Sequence, residues 1–205
     1  MSRLLLTAFE PDAHWTMNSS WQALIELTKN LPSLPEVTTR RYPANFLRLR
    51  ERLETDVKAA YDAIVLLGQA AGAPCLTLET IALNVGLDRN RVPRAGTLAE
   101  DGPTAYSSSM PLEQYAAAIR EQGIPARVSF HAGVDHGNAA FYWVQHLAAR
   151  QKLNTQVTLV RIPLNEHQAR EAPEPVPYMA TASVATALRA ILQAIAERPT
   201  QPPLS

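Results

Sequence analysis

Residues 44–68 read ANFLRLRERLETDVKAAYDAIVLLG and join a helical pattern directly to a buried strand. Apolar side chains recur at the spacing of one helix face, at Phe46, Leu49, Leu53, Val57 and Tyr61. Residues 63–68 then form a continuous apolar run, which is typical of a strand buried on both faces. A helix that leads into such a strand predicts an α/β domain with a largely parallel sheet.

The same alternation continues on both sides of this segment. The patterns predict further strands at residues 4–9, 37–41, 76–85, 127–131 and 157–162. They predict further helices that follow the N-cap residues 18–20 and that span residues 112–122, 138–151 and 179–197. Residues 86–103 are a long polar stretch without a clear period, and residues 199–205 are a proline-rich tail. We therefore expect one domain over residues 1–198, followed by a flexible tail.

The equal numbers of basic and acidic residues help to exclude some classes of binding partner. The 205 residues carry 19 basic and 19 acidic side chains, which argues against a general nucleic-acid binder, since such proteins neutralise phosphates. The arginines between residues 40 and 52 alternate with acidic residues at helical spacing, which favours a solvated helix face. Apolar runs of about five residues are far shorter than the ~20 needed to span a bilayer, and residues 1–9 lack a secretory pattern. We expect a small-molecule ligand, with neither nucleic acid nor membrane as partner, and leave a homo-oligomer open.

Cys75 is the single cysteine of the chain. One cysteine excludes an internal disulfide framework and any zinc site built on several thiolates. Because disulfides are a mark of oxidising compartments, this count favours a reducing one, and we expect a cytoplasmic protein.

The densest group of ionisable residues follows the strand predicted at residues 127–131. In open α/β sheets, ligands bind beyond the carboxyl ends of the strands. There the sequence FHAGVDHGN, residues 130–138, places His131, Asp135 and His136 among glycines and leads into a helix. A helix start offers free N–H groups and a partial positive charge that suit an anion or an oxyanion.

Several blocks of the chain resemble pyroglutamyl peptidase I, the pyrrolidone-carboxylate peptidases. The family's Thr-Gly-Phe-Glu-Pro-Phe, Asn-Pro, Gly-Gln-Ala-Gly-Gly-Arg and Glu-Arg-Ile-Ala-Val-Asn are similar to residues 7–12, 18–19, 68–73 and 79–84. The stretch from Asp101 to Ala126 follows in the same order, and the likeness extends from Arg3 to about Glu197. This resemblance implies a three-layer α/β/α sandwich around a mixed, largely parallel sheet. We expect neither a cofactor nor a resident metal.

The active-site positions depart from the family pattern. The resemblance puts the family's catalytic glutamate at Glu79, its nucleophilic cysteine at Gly137 and its histidine base at Arg161. Glycine has no side chain that could attack a substrate, and arginine stays protonated in proteins and cannot abstract a proton. Cys75 lies four residues before Glu79 in another segment and is best interpreted as a small buried hydrophobe.

Our main hypothesis is a hydrolase repurposed to cleave the C–N bond of a small amide or lactam without a thiol. His131 or His136 would act as general base on a water, oriented by Asp135 or Glu79. Arg161 would bind a carboxylate or stabilise charge, and the backbone amides at the helix start would hold the oxyanion. The candidate substrate-binding residues are Phe9, Asp12, Asn18, Gln69, Gly137 and Asn138.

Three alternatives stay open. In the family, aromatic rings hold the substrate at the positions of Asp12 and Asp135, so this pocket has become acidic and would suit a non-catalytic binder of a small cation. Asp12, Glu79, His131, Asp135 and His136 have side chains that suit zinc or manganese, although their spacing is a weak metal signal. The third alternative is a pyroglutamyl peptidase proper.

Overall fold

The computed structural model describes residues 3–11, 15–87 and 97–197. Asp12 and the tail at residues 199–205 lie outside the described residues, as does part of the long polar stretch at residues 86–103. The assignment of residues 1–198 to one domain with a flexible tail therefore stays a prediction.

Strands and helices alternate along most of the described chain. The strands are β1 Arg3–Phe9, β2 Glu36–Tyr42, β3 Ala63–Gln69, β4 Leu76–Glu79, β5 Ile81–Leu83, β6 Ala105–Ser107, β7 Ala126–Ser129 and β8 Gln156–Ile162. The helices are α1 Ser19–Thr28, α2 Phe46–Asp56, α3 Leu112–Glu121, α4 His136–Arg150, α5 Glu166–Glu171 and α6 Thr181–Ala196, with a 3₁₀ turn at Val57–Ala59 after α2.

Six strands form one mixed sheet in the order β2-β1-β3-β8-β4-β7. β2, β1, β3 and β8 are parallel, whereas β4 pairs antiparallel with β8 and parallel with β7. β5 and β6 form a separate antiparallel pair. The expected mixed and largely parallel sheet is confirmed.

Helices cover both faces of this sheet and produce two apolar cores. α1, α3 and α6 pack on one face, and α2 and α4 pack on the other. β3 contributes to both cores, since Val65 and Leu67 belong to the first and Ile64 and Leu66 to the second. The continuous apolar run quoted above is therefore buried on both sides, in the expected three-layer arrangement.

The strand predicted at residues 76–85 is wrong in its extent. β4 ends at Glu79, where the backbone changes partner. The Thr80 N–H still donates to the Ser129 carbonyl of β7 at 2.8 Å, but the Thr80 carbonyl accepts from the Ser108 N–H at 2.7 Å, and the following residues pair with β6 outside the main sheet. The sequence patterns did not predict β6, which has three residues.

Side-chain caps set two helix starts that the apolar periodicity does not show. α4 begins at His136 rather than at residue 138, because the Asp135 side chain caps it. α5, which was not predicted, is a six-residue helix that begins with a capping box between Asn165 and Gln168. Within the described ranges, no helix has the length and apolar character needed to cross a bilayer. The cytoplasmic location stays a prediction.

Candidate functional site

Glu79 and Arg161 lie on the same face of the central sheet. β4 and β8 are antiparallel neighbours in which Glu79 is opposite Leu159 and Thr77 is opposite Arg161. Because residues two apart along a strand point to the same side, both charged side chains share the side of Leu159. Leu159 packs in the core formed by α2 and α4, so the pairing directs both groups toward the layer that contains α4.

Arg161 forms a two-pronged ion pair with Asp135, the residue that caps α4. Nη1 donates to Oδ2 and Nη2 donates to Oδ1, each at 2.8 Å, and Nη2 also donates to the carbonyl of Ala132. The same carboxylate accepts from the backbone N–H groups of Gly137 at 2.9 Å and Asn138 at 3.4 Å. Desolvation raises the pKa of Asp135, but the charge and hydrogen bonds of Arg161 and the two amides outweigh it and hold the pKa below its usual range.

Three glycines surround the Arg161 guanidinium. A Cβ on Gly137 would lie 3.2 Å from Nη1 and 3.3 Å from Cζ, and one on Gly68 would lie 3.7 Å from Nη1. Gly133 has a φ of +76°, a conformation that side chains rarely adopt, and its Cβ would lie 3.0 Å from Nη2. The guanidinium therefore occupies space that a side chain at residue 137 would crowd.

Glu79 is a buried carboxyl group with an unpaired oxygen. The residue is 3% exposed, and its Oε2 has no hydrogen-bond partner within residues 3–11, 15–87 and 97–197. Burial raises the pKa of Glu79, and a hydrogen bond from Ser129, the charge of Arg161 and that of His131 offset this only in part. A carboxyl group in this state can donate or accept a proton nearer to neutral pH than an exposed one.

The two predicted histidine bases differ in their surroundings. His131 is exposed, and its Nδ1 accepts a hydrogen bond from the Gly133 N–H at 3.0 Å. A neutral imidazole that accepts at Nδ1 carries its proton on Nε2, so neither nitrogen has a free lone pair for a general base. The half-buried ring of His136 lies against Phe46, with ring centroids 4.4 Å apart.

Comparisons with known proteins place this site in a family. The model of the family "Pyroglutamyl peptidase" matches residues 2–198. The chain belongs to the pyroglutamyl peptidase family. The pyrrolidone-carboxylate peptidase of Streptomyces coelicolor is 34% identical, over 98% of this chain and 95% of that protein, and the one of Thermococcus onnurineus is 33% identical, over 93% and 97%.

Solved structures of the family share the fold. Pyroglutamyl peptidase I from Bacillus amyloliquefaciens matches with a TM-score of 0.87 at 26% identity, over 96% of each chain. The pyrrolidone carboxyl peptidase from Fervidobacterium islandicum matches with a TM-score of 0.88 at 26% identity, over 95% of this chain and 98% of that one. The expected three-layer fold therefore agrees with structures of pyroglutamyl peptidases.

The positions that the resemblance gives to the family's cysteine and histidine are neighbours in this structure. They hold Gly137 and Arg161, and a Cβ on the first would touch the guanidinium of the second. A nucleophile and its base must lie within hydrogen-bond reach, and these two positions are close enough for that, although the assignment of the two positions stays a prediction. Cys75 is partly buried and precedes β4, whereas Glu79 ends that strand.

The side chains proposed to bind substrate are mostly engaged within the chain. Asn18 caps α1 and also donates to the Glu10 carbonyl, and Phe9 is buried in the core of α2 and α4. Gln69 Oε1 accepts from the Ser19 N–H and from Gln168 Nε2, both at 2.8 Å. The roles of these side chains in binding stay predictions.

The Asn138 side chain connects the start of α4 to β5 through hydrogen bonds. Its side chain accepts from the Leu83 N–H at 2.9 Å and donates to the carbonyls of Leu83 and Val85 at 3.0 and 2.8 Å. Its backbone N–H and that of Gly137 point at Asp135, so the amides predicted to hold an oxyanion are already occupied.

Sequence reasoning missed two contacts of the site. Ser129, which bonds to Glu79, lies within the strand predicted at residues 127–131 and ends β7 in the structure, and its place near the end of that strand could have pointed to it. Phe46, which contacts His136, was assigned only to an apolar helix face. Across residues 3–11, 15–87 and 97–197, no three His, Cys, Asp or Glu side chains are arranged to hold a metal ion. Asp12, part of the metal hypothesis, lies outside those ranges.

Proposed function

We propose that this protein binds a small molecule with a pyrrolidone-type lactam or a similar amide, and that it does so without thiol catalysis. The ligand class comes from the names of its relatives, the pyrrolidone-carboxylate peptidases. The observation that carries the proposal is the Asp135–Arg161 ion pair, because its arginine is at the position that the resemblance gives to the base and lies against Gly137, at the position of the nucleophile.

Thiol chemistry has no support from the single cysteine of the chain. Cys75 precedes β4 and Glu79 ends it, so four residues of strand, or about 13 Å, separate the two. A thiol at that distance does not reach a group held beside Glu79.

Hydrolysis by a water molecule, our main hypothesis from the sequence, is now the second candidate. The backbone amides and the arginine that would stabilise an oxyanion already donate hydrogen bonds to the Asp135 carboxylate. The Nδ1 of His131 already accepts a hydrogen bond from the Gly133 N–H. The raised pKa of Glu79 favours this candidate, since a general acid–base group needs a tuned pKa, and its unpaired oxygen leaves one hydrogen bond available to a substrate.

Binding of a small cation has less support than binding of an amide. The charge of Asp135 is matched by Arg161, and burial favours the neutral form of Glu79. The described part of the site therefore offers no uncompensated pair of carboxylates. A neutral amide suits the unpaired oxygen of Glu79, because an amide both donates and accepts hydrogen bonds.

Calorimetric titration combined with a turnover assay tests the proposal. The ligands are pyrrolidone carboxylate and its primary amide, and turnover is measured with a chromogenic pyroglutamyl amide. We expect binding of at least one ligand, no release of the chromophore, and about tenfold weaker binding in Glu79→Gln through the altered hydrogen bond. Glu113→Gln, which changes an exposed carboxylate on α3, is the matched control and should bind like the wild type.

The opposite results are equally clear. Binding of neither ligand overturns the proposal. Turnover that is blocked by a thiol-alkylating reagent and lost in Cys75→Ser identifies a thiol peptidase and overturns it as well. Turnover that survives in Cys75→Ser but disappears in Glu79→Gln establishes the second candidate in its place.

A further inference from the structure

The Asp135 carboxylate lies in a site that would suit the carboxylate of a ligand. It receives four N–H donors, two from the Arg161 guanidinium at 2.8 Å each and two from the backbone of Gly137 and Asn138 at 2.9 and 3.4 Å. A planar guanidinium and the amides of a helix start are two of the donor sets by which proteins recognise carboxylates. The chain thus places its own carboxylate where a ligand's carboxylate would make the same bonds.

The two partners of the ion pair differ in their access to solvent. The Arg161 side chain is 10% exposed, whereas that of Asp135 is 55% exposed. Rotation of the Asp135 side chain to another staggered rotamer would uncover the guanidinium and both amides. Arg161 would keep its place, because the Ala132 carbonyl still accepts from Nη2 and the adjoining backbone of Gly137 still confines the guanidinium.

Glu79 supplies an independent sign that a ligand belongs here. Its Oε2 is buried and unpaired, and it lies on the sheet face shared with Arg161. Buried polar atoms nearly always have a hydrogen-bond partner, and one without a partner calls for an explanation. The N–H of an amide or lactam would provide the missing hydrogen bond to this oxygen.

We propose that the ligand is a small carboxylic acid that also carries an amide or lactam, and that its carboxylate displaces Asp135 from Arg161 and the first amides of α4. The amide of the ligand then meets Glu79. This inference rests on the proposed function and specifies which form of the pyrrolidone-type ligand is bound, namely the free acid rather than its amide. Asp135 acts as a built-in competitor, since a ligand without a carboxylate gains too little to displace it.

The experiment compares three probes on the full chain by calorimetry: pyrrolidone carboxylate, its primary amide, and acetate. Wild-type protein should bind the acid at least about tenfold more tightly than the amide, from the charge-assisted hydrogen bonds to Arg161. Asp135→Asn keeps an N-cap side chain but removes the competing charge, so it should bind the acid about tenfold more tightly still. Arg161→Gln should lose the preference for the acid, while Glu113→Gln, which breaks the exposed ion pair with Arg120, should behave like the wild type.

Each outcome separates this inference from the proposed function. Equal binding of acid and amide overturns the inference and leaves the proposed function standing. Binding of neither overturns both. Acetate that binds as tightly as the acid removes the contribution of Glu79 and overturns the inference. If Arg161→Gln does not fold, Arg161→Lys keeps the charge without the planar pair of donors and should show a reduced preference for the acid.

Discussion

Gly137→Ala tests whether the glycine at the start of α4 is needed to accommodate Arg161. The new Cβ would lie 3.2 Å from Nη1 and 3.3 Å from Cζ of Arg161, which is closer than most contacts of this kind. The guanidinium cannot retreat freely, because Asp135 and the Ala132 carbonyl hold it. Overpacking costs about 1–3 kcal/mol. An alanine in place of a helical glycine normally gains about 1 kcal/mol, so we expect a net loss of roughly 0–2 kcal/mol.

Urea unfolding of four proteins measures this coupling: the wild type, Gly137→Ala, Arg161→Met and the double variant. In the Arg161→Met background the contacts with the guanidinium disappear, and Asp135, whose Oδ1 would lie 3.1 Å from the new Cβ, is no longer held by Arg161, so the alanine should be neutral or stabilising. The interaction energy of the cycle should then be about 1–3 kcal/mol. If Gly137→Ala stabilises the wild type as much as it stabilises Arg161→Met, the two positions do not interact and the reasoning is refuted.

Three further substitutions test the electrostatics and the anchoring of the site. Burial raises the pKa of Glu79 above its ordinary value of 4.5, so this carboxyl group loses its proton at a lower pH in the unfolded chain than in the folded one, and the folded state loses stability as pH rises above 4.5. Urea titrations should therefore find Glu79→Gln more stable than the wild type at neutral pH, with no difference at acid pH. Desolvation raises the pKa of Asp135 but Arg161 lowers it more, so the ionised carboxylate stabilises the folded state above about pH 4, and this stabilisation is lost as pH falls further. If the free energy of unfolding of the wild type falls no more steeply at acid pH than that of Asp135→Asn, this reasoning is contradicted. Asn138→Ala should destabilise the protein by about 1–3 kcal/mol for each backbone group left unsatisfied in β5, and a thermal shift within error of the wild type would be evidence against the anchoring role.

The sequence predicts the layers of the fold well because its strands are strongly apolar. Residues 63–68 form β3, buried on both faces as predicted, and the main helices lie close to their predicted positions. The missed elements, β6 and α5, have three and six residues, too few to display a period. The break after Glu79 was also missed, since it follows from the hydrogen bond between the Thr80 carbonyl and the Ser108 N–H, and apolar patterning does not report such a bond.

The sequence predicted several residues of the candidate site but did not predict which of them bond to each other. Asp135 and Arg161, 26 residues apart in sequence, were both proposed for the site and are in contact in the structure. Their partnership depends on side-chain rotamers, and three glycines, one in β3 and one on each side of Asp135, make room for it. The same limit applies to Gln69, whose amide oxygen is taken by Ser19 and Gln168. A sequence shows which groups are available, whereas the fold decides which of them are already paired.

The contact between positions 137 and 161 also means that a substitution at one position affects the other. A lone Gly137→Cys change would introduce a thiol against a guanidinium that cannot serve as its base. A lone Arg161→His change would remove the partner of Asp135 and supply a base with no nucleophile beside it. Each single change removes the present ion pair or crowds it, and neither brings a thiol and an imidazole together. A cysteine and a histidine at these two positions therefore require both substitutions at once.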